Sequence, residues 1–268
     1  MNMGIIQGRL LPPVNNFIQK FPEGDWRNEF ELLEDMGLTH IEWLVTEERF
    51  EDNPLFTKDI RDLPIAAFGL DVMNNSGIAE GKFFQDHMFP IAEAVLGQGY
   101  NKLSLPLLEA SSMRFGGRKQ IRAYLHNLLR RYPTLEVSLE LDLFWAEDIL
   151  DLVDHDRLFV TYDIGNLTGV TAEGVTFDWW RPHREFLEPL FYAGKIDFIH
   201  LKDKTYDGVN VTPGEGRAPF KEIFKWLSTR DLSDVLYTLQ TARGETGKEM
   251  ETIIKHMDYF EDLHEKFV

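Results

Sequence analysis

Short apolar runs alternate with longer amphipathic runs from one end of the chain to the other. This alternation is typical of parallel strand–helix–strand units. About eight runs are predicted as strands: Met3–Gln7, Thr39–Val45, Pro64–Val72, Asn101–Leu105, Leu135–Leu141, Leu158–Ile164, Ile196–Leu201 and Val235–Gln240. The chain is therefore expected to form an α/β fold with a mainly parallel sheet.

The intervening segments carry apolar residues at three- and four-residue spacing, which predicts amphipathic helices. One such helix is marked by Trp26, Phe30, Leu33 and Met36, and Gly37 is expected to end it. A second helix is marked by Ile121, Leu125, Leu128 and Leu129. The last helix is predicted from about Lys248 to Lys266, with Ile253, Met257, Phe260 and Leu263 facing inward.

Parallel strands with right-handed crossovers form either an open sheet or a closed barrel, and a count near eight favours closure. No Gly-x-Gly-x-x-Gly follows the first strand, so the dinucleotide-binding alternative lacks its fingerprint. Thr212–Pro219 is short and lies where a strand–helix loop belongs, so no linker is evident. We therefore predict a single (β/α)8 TIM barrel that spans residues 1–268 as one domain.

The composition excludes several classes of function. A formal net charge of −17 disfavours nucleic-acid binding, which depends on clustered Lys and Arg. The absence of cysteine excludes thiolate nucleophiles and Cys-ligated zinc, whereas His and carboxylate metal sites remain open. No signal-like start and no run of about 18 apolar residues is found, so we expect a cytoplasmic protein without a membrane partner.

Polar residues occur at the ends of four successive predicted strands, the fifth to the eighth: Glu140, Asp163, His200 and Gln240. Each alone is more often a cap or a loop anchor. Together they would meet at the C-terminal rim, where TIM barrels build their active sites. Oxygen and imidazole ligands suit Mn²⁺, Mg²⁺, Co²⁺ or Zn²⁺, so the set predicts one divalent metal ion.

These residues stand in short motifs whose order and strand placement are characteristic together: Gly4–Pro13, Ile41–Trp43, Glu140, Tyr162–Asn166, His200–Asp203, and Gly214–Gly216 before Phe220. On these motifs the whole chain resembles the xylose isomerase-like TIM barrels, which include sugar isomerases and epimerases, inosose dehydratase and endonuclease IV. The resemblance implies metal ligands from four strands: Glu from the fifth, Asp from the sixth, His from the seventh and Glu from the eighth. Glu140, Asp163 and His200 match this pattern, whereas Gln240 departs from it.

The departure matters because the resemblance implies a pair of glutamates that act as opposed acid and base groups. Gln240 cannot take a proton, although its amide oxygen can still bind a metal. Candidates for a second proton-transfer group are Glu42, Glu109 and Lys202, and anchoring of a loop is an equally good explanation of the two glutamates.

Further polar residues near the predicted rim suit the recognition of hydroxyl or phosphate groups. They are Gln7, Arg9, Asn166, Glu215 and Arg243, with Lys202 and Lys204 on either side of Asp203. Arg beside a metal site is a reasonable contact for an anionic substrate. The glycines of Gly214–Gly216 are better explained as a turn.

The leading hypothesis is an isomerase or epimerase of a keto sugar, polyol or sugar phosphate. Glu140 would act as ligand and base, and Lys202 and Arg243 would orient the substrate. A dehydratase on the same site is the first alternative, and a non-catalytic sugar-binding relative is the second.

Two further classes are disfavoured. An endonuclease needs a His-rich zinc cluster, and several of the 8 His fall in predicted helices: His87, His126, His256 and His264. An acyl-transfer hydrolase lacks the Gly-x-Ser-x-Gly elbow. Trp179, Trp180 and Phe191 would either cap the barrel mouth or form a contact in a homo-oligomer.

Overall fold

The computed structural model describes residues 1–13, 24–74, 81–108, 111–112, 117–141, 146–168 and 180–268. The barrel strands are β1 (Met3–Ile6), β2 (Ile41–Leu44), β3 (Ile65–Gly69), β4 (Lys102–Leu107), β5 (Glu136–Leu141), β6 (Leu158–Asp163), β7 (Ile196–Leu201) and β10 (Leu236–Leu239). These eight strands form a closed barrel in the order β1-β10-β7-β6-β5-β4-β3-β2. The predicted (β/α)8 barrel is confirmed. Two short strands, β8 (Asp203–Lys204) and β9 (Asn210–Val211), form a separate antiparallel pair.

Helices alternate with the barrel strands along the chain. They are α1 (Asn28–Asp35), α2 (Pro54–Thr57), α3 (Gly81–Phe83), α4 (Phe89–Gly97), α5 (Arg118–Arg131), α6 (Ala146–Leu152), α7 (Trp180–Tyr192), α8 (Phe220–Leu227) and α9 (Glu249–Phe267). Within the described ranges, none of these helices combines the length and the apolar character that crossing a bilayer requires.

The chain divides into two compact units, residues 1–41 with 162–268 and residues 42–161. In the first unit β10 pairs in parallel with both β1 and β7, and Thr238 is aligned with Gly4 on one side and His200 on the other. His40 Nε2 lies 3.2 Å from Thr238 Oγ1 in the buried interior. Gly4 is required here, because a Cβ at this position would lie 2.4 Å from the His40 ring and from its carbonyl oxygen.

In the second unit β3, β4, β5 and the first part of β6 pair in parallel in sequence order. Ser138 and Thr161 are both fully buried, and their hydroxyl oxygens lie 2.7 Å apart. Arg157 donates hydrogen bonds to the carbonyls of Leu129, Tyr132 and Leu135 at 2.7–2.8 Å, which ties the end of α5 to the start of β6.

Helix α1 ends as its sequence predicts. Gly37 has φ +70°, a left-handed conformation that glycine adopts without strain. Its N–H donates to Glu34 O, and the Leu38 N–H donates to Leu33 O. This pair of bonds is the Schellman motif, which satisfies two carbonyls at the helix end.

The predicted inward faces are largely confirmed. Ile121, Leu125, Leu128 and Leu129 of α5 are buried, as are Ile253, Phe260 and Leu263 of α9. Met257 is only half-buried, and His256 takes the inner position instead, with its Nδ1 2.8 Å from Thr241 Oγ1. Trp180 and Phe191 of α7 pack edge-on against Trp226 of α8, whereas Trp179 lies outside the described residues.

Candidate metal and substrate site

The four predicted metal ligands all lie at the ends of barrel strands. Glu140 is in β5, Asp163 ends β6, His200 is in β7 and Gln240 directly follows β10. All four are buried. Because side chains alternate along a strand, each lies on the same face as a buried residue two positions earlier: Ser138, Thr161, Phe198 and Thr238.

Glu140, Asp163 and His200 each offer one ligand atom, and these atoms lie within 4.8 Å of one another. His200 Nδ1 lies 4.0 Å from Asp163 Oδ2. Two carboxylates and an imidazole form a donor set that suits Mn²⁺, Mg²⁺, Co²⁺ or Zn²⁺. The chemistry of these residues therefore fits a divalent metal ion.

Lys202 contacts two of the four predicted ligands. Its Nζ donates to Asp163 Oδ2 at 3.0 Å and to Gln240 Oε1 at 2.8 Å. The side chain of Lys202 is 9% exposed and that of Asp163 is 0% exposed, so the ion pair is buried. A charge-assisted hydrogen bond in such surroundings is stronger than one at the surface.

The backbone around Lys202 explains its position. Leu201 is aligned with Leu239, and the Gln240 N–H donates to Leu201 O at 3.1 Å. The residues that follow, Lys202 and Gln240, are therefore neighbours. Gly165 leaves room for the lysine stem, because a Cβ there would lie 2.7 Å from Lys202 Cγ.

Asn166 and Lys204 form the next layer beside Asp163. The Asn166 N–H donates to Asp163 Oδ1 at 3.0 Å, and Lys204 Nζ donates to Asn166 Oδ1 at 3.2 Å. Both side chains are half-buried. The predicted substrate contact Asn166 is thus close to the metal-ligand candidate Asp163.

Asp203 holds the loop that carries the Gly214–Gly216 motif. Its carboxylate accepts four backbone N–H groups at 2.9–3.0 Å, those of Lys204 and Ala218 on Oδ1 and those of Gly214 and Gly216 on Oδ2. Gly216 has to be glycine, because a Cβ would lie 2.2 Å from Asp203 Oδ1. The motif is a turn closed by Asp203, and the side chain of Glu215 is exposed.

The loop after β1 is built around a buried charge cluster. Glu29 of α1 accepts the N–H groups of Gly8 and Leu10 at 2.9 and 3.1 Å. Arg243 donates to Leu11 O at 3.0 Å and also to Gly8 O. Burial raises the pKa of Glu29 to about 7, although these N–H groups and Arg243 lower it.

Arg9 and Gln7 are also buried in this region. Burial and the nearby Arg243 lower the pKa of Arg9 to about 9, so its guanidinium stays charged at neutral pH. Arg243 binds backbone carbonyls of the loop, an arrangement that the sequence did not predict. Its contact with a substrate stays a prediction.

Glu42 of β2 is buried, as a proton-transfer group or an anchor would be. Glu109 lies outside the described residues. The sequence did not single out Glu29 or assign Asp203 a function. Glu29 carried a detectable signal, because it lies three residues after Trp26 and four before Leu33, on the apolar face of its helix.

The closed barrel and the cluster of carboxylate and imidazole ligands at its strand ends define a TIM barrel with a candidate metal centre. A sequence profile of the xylose isomerase-like TIM barrel family matches residues 110–263, more than half of the chain. The protein belongs to this family. No curated protein matches the sequence at a significant level.

Solved structures share the fold at low sequence identity. An L-ribulose 3-epimerase has a TM-score of 0.69 and 14% identity, with 98% of this chain and 94% of that chain covered. A probable 3-DHS dehydratase from Bacillus anthracis has a TM-score of 0.60 and 14% identity, with coverage of 97% and 99%. A xylose isomerase-like TIM barrel protein from Mycobacterium smegmatis in complex with magnesium has a TM-score of 0.58 and 13% identity, with coverage of 97% for each chain. At these identities the likeness shows the fold alone.

Proposed function

We propose that the protein is a metal-dependent isomerase or epimerase of a keto sugar, polyol or sugar phosphate. The observation that carries the proposal is the buried cluster of Glu140, Asp163 and His200 at the ends of successive strands. Similarity to an epimerase and to a magnesium-containing barrel supports the choice of chemistry. Small sugars are the proposed partners.

In this proposal Glu140, Asp163 and His200 hold the metal. A bound divalent ion would supply Lewis-acid polarisation of the carbonyl and hydroxyl oxygens of the substrate. Glu140 takes the proton from the carbon next to the carbonyl, because a carboxylate can both bind a metal ion and accept a proton. Lys202 donates a hydrogen bond to the oxygen on which negative charge develops.

Return of the proton to the opposite face requires a second group. Gln240 cannot supply it, since an amide does not titrate. We propose Glu42 for this step, because it is a buried carboxylate in β2. Glu109 is the other candidate from the sequence. Gln7, Arg9, Asn166, Glu215 and Arg243 are proposed to recognise hydroxyl or phosphate groups, with the exposed Glu215 the weakest of the set.

A dehydratase acting on a polyol-type substrate is the second candidate. It is favoured by Gln240, whose amide oxygen accepts from Lys202 and provides no second base. In a dehydration Glu140 passes the proton that it took from carbon to the departing hydroxyl, which leaves as water, and no proton returns to the second face of the carbon. Similarity to a probable dehydratase also supports this reading.

The test is incubation of the Mn²⁺-loaded protein with a panel of ketoses and their phosphates in D₂O. An isomerase or epimerase incorporates deuterium at carbon without loss of water, whereas a dehydratase gives a product lighter by one water. We expect Glu140→Gln to abolish incorporation and the exposed Glu261→Gln to leave it unchanged. Sugar binding without deuterium at carbon would instead identify a non-catalytic binder and refute the proposed enzyme.

A further inference from the structure

Lys202 follows the strand that lies between two ligand-bearing strands. β7 stands between β6 and β10 in the barrel order. The Ile164 N–H donates to His200 O on one side, and the Gln240 N–H donates to Leu201 O on the other. A side chain at position 202 therefore has Asp163 on one side and Gln240 on the other.

The ammonium group of Lys202 engages oxygens that a metal would need. Asp163 Oδ2 accepts from Lys202, and Asp163 Oδ1 accepts from the Asn166 N–H. Gln240 Oε1 accepts from the same ammonium group. Two of the four predicted ligands are thus already bound to a cation that belongs to the chain.

The backbone at Gly165 leaves the space that the Lys202 side chain occupies. Its stem passes over Gly165, where a Cβ would lie 2.7 Å from Lys202 Cγ and 2.8 Å from Cδ. The side chain is 9% exposed. A lysine confined in this way differs from a surface lysine, which samples many rotamers in water.

We infer that Lys202 is a built-in cation of this site, that Gln240 is its acceptor and not a metal ligand, and that a divalent ion competes with the Lys202 ammonium group for Asp163. The inference rests on the metal site of the proposed function. Its physical basis is repulsion, because an ion bound through Asp163 Oδ2 would place two cations on one buried oxygen. Gln at position 240 fits this arrangement, since an amide oxygen accepts from lysine without adding a further negative charge.

The first test measures Mn²⁺ binding by the electron paramagnetic resonance signal of the free ion. Lys202→Met removes the charge and keeps an unbranched stem, so we expect the Mn²⁺ dissociation constant to fall by about tenfold or more. Lys204→Met is the matched control, because it removes a neighbouring lysine charge whose Nζ donates to Asn166 Oδ1. An unchanged or weaker affinity in Lys202→Met overturns the inference and leaves the proposed function standing.

Gln240→Leu separates the two roles of Gln240. If Gln240 holds the lysine, the variant binds Mn²⁺ as tightly as the wild type or more tightly. A tenfold loss of affinity would instead identify Gln240 as a ligand and contradict the inference.

The second test follows Lys202 itself, in the wild-type protein and in Gln240→Leu, so it does not depend on the folding of Lys202→Met. Acylation of lysines by acetic anhydride is followed by mass spectrometry, with the exposed Lys255 as the reference. We expect slow acylation of Lys202, and faster acylation in saturating Mn²⁺ and in Gln240→Leu. Acylation that neither change accelerates refutes the inference. If neither the wild type nor Lys202→Met binds Mn²⁺, the metal is removed from the proposed function. Faster acylation in Gln240→Leu would in that case still support Lys202 as the cation of the site.

Discussion

Asp203→Asn should destabilise the loop that follows β7 more than most single substitutions in this protein. In the wild type, two backbone N–H groups donate to each carboxylate oxygen at 2.9–3.0 Å. Asparagine keeps one oxygen, but its amide NH₂ group faces two N–H donors whichever way the side chain is turned. Two charge-assisted hydrogen bonds are therefore lost in either orientation.

A hydrogen bond to a charged group contributes about 1.5–3 kcal/mol, so the loss of two would reach about 3–6 kcal/mol. The N–H groups are only partly buried, and water recovers part of this loss. We expect the free energy of unfolding to fall by about 3 kcal/mol.

Urea denaturation measures the global effect, and hydrogen exchange of the Gly214, Gly216 and Ala218 amides measures the local one. Asp207→Asn is the matched control, because Asp207 is exposed on the same loop and should change the stability by less than about 0.5 kcal/mol. Full protection of these three amides in Asp203→Asn, with an unchanged denaturation midpoint, would refute the proposed function of Asp203 in closing the loop.

Three other predictions follow from packing and burial. Burial lowers the pKa of His183 to about 3; the unfolded chain therefore takes up the proton first as pH falls below about 6.5, and stability is lost from there downward. The free energy of unfolding, measured by urea denaturation, should fall between pH 7 and pH 4.5 by about 2–3 kcal/mol less in His183→Leu than in the wild type. An equal fall in the two proteins would contradict the assignment. Gly4→Ala should lower stability by about 3 kcal/mol or more, because the new Cβ meets the backbone oxygen of His40, and a thermal midpoint within a degree of the wild type would exclude the clash. Arg157→Lys should lower the free energy of unfolding by about 2–3 kcal/mol in urea denaturation, because a lysine ammonium group cannot replace the planar guanidinium that donates to three carbonyls. A change below about 0.5 kcal/mol would show that these bonds contribute little.

The fold could be predicted largely from the sequence because the apolar runs and the strands nearly coincide. Ile196–Leu201 was predicted with its observed ends, and Leu158–Ile164 was one residue too long. Pro64–Val72 was predicted too long, since β3 ends at Gly69 and the apolar run continues into a 3₁₀ turn, Asp71–Asn74. Periodicity does not separate a short apolar strand from the buried turn that follows it.

The site could be predicted only in part. Strand ends converge by topology, so the grouping of Glu140, Asp163 and His200 followed from the order of the strands and the resemblance. The bond between Lys202 and Gln240 did not follow, because it depends on strand register and on space above Gly165. The attachment of Arg243 to Gly8 and Leu11 joins residues more than 230 positions apart, which no local pattern encodes.

The pairing of β1 with β10 has a consequence for synthesis on the ribosome. Strands β3, β4 and β5 neighbour one another in sequence order, so each can find its partner soon after it emerges. β1 emerges early but has to wait for β10 and Arg243, which follow all the other barrel strands in the chain. A nascent chain stalled near residue 190 would thus leave β1 without this partner, and chaperones that bind exposed apolar strands would find it there.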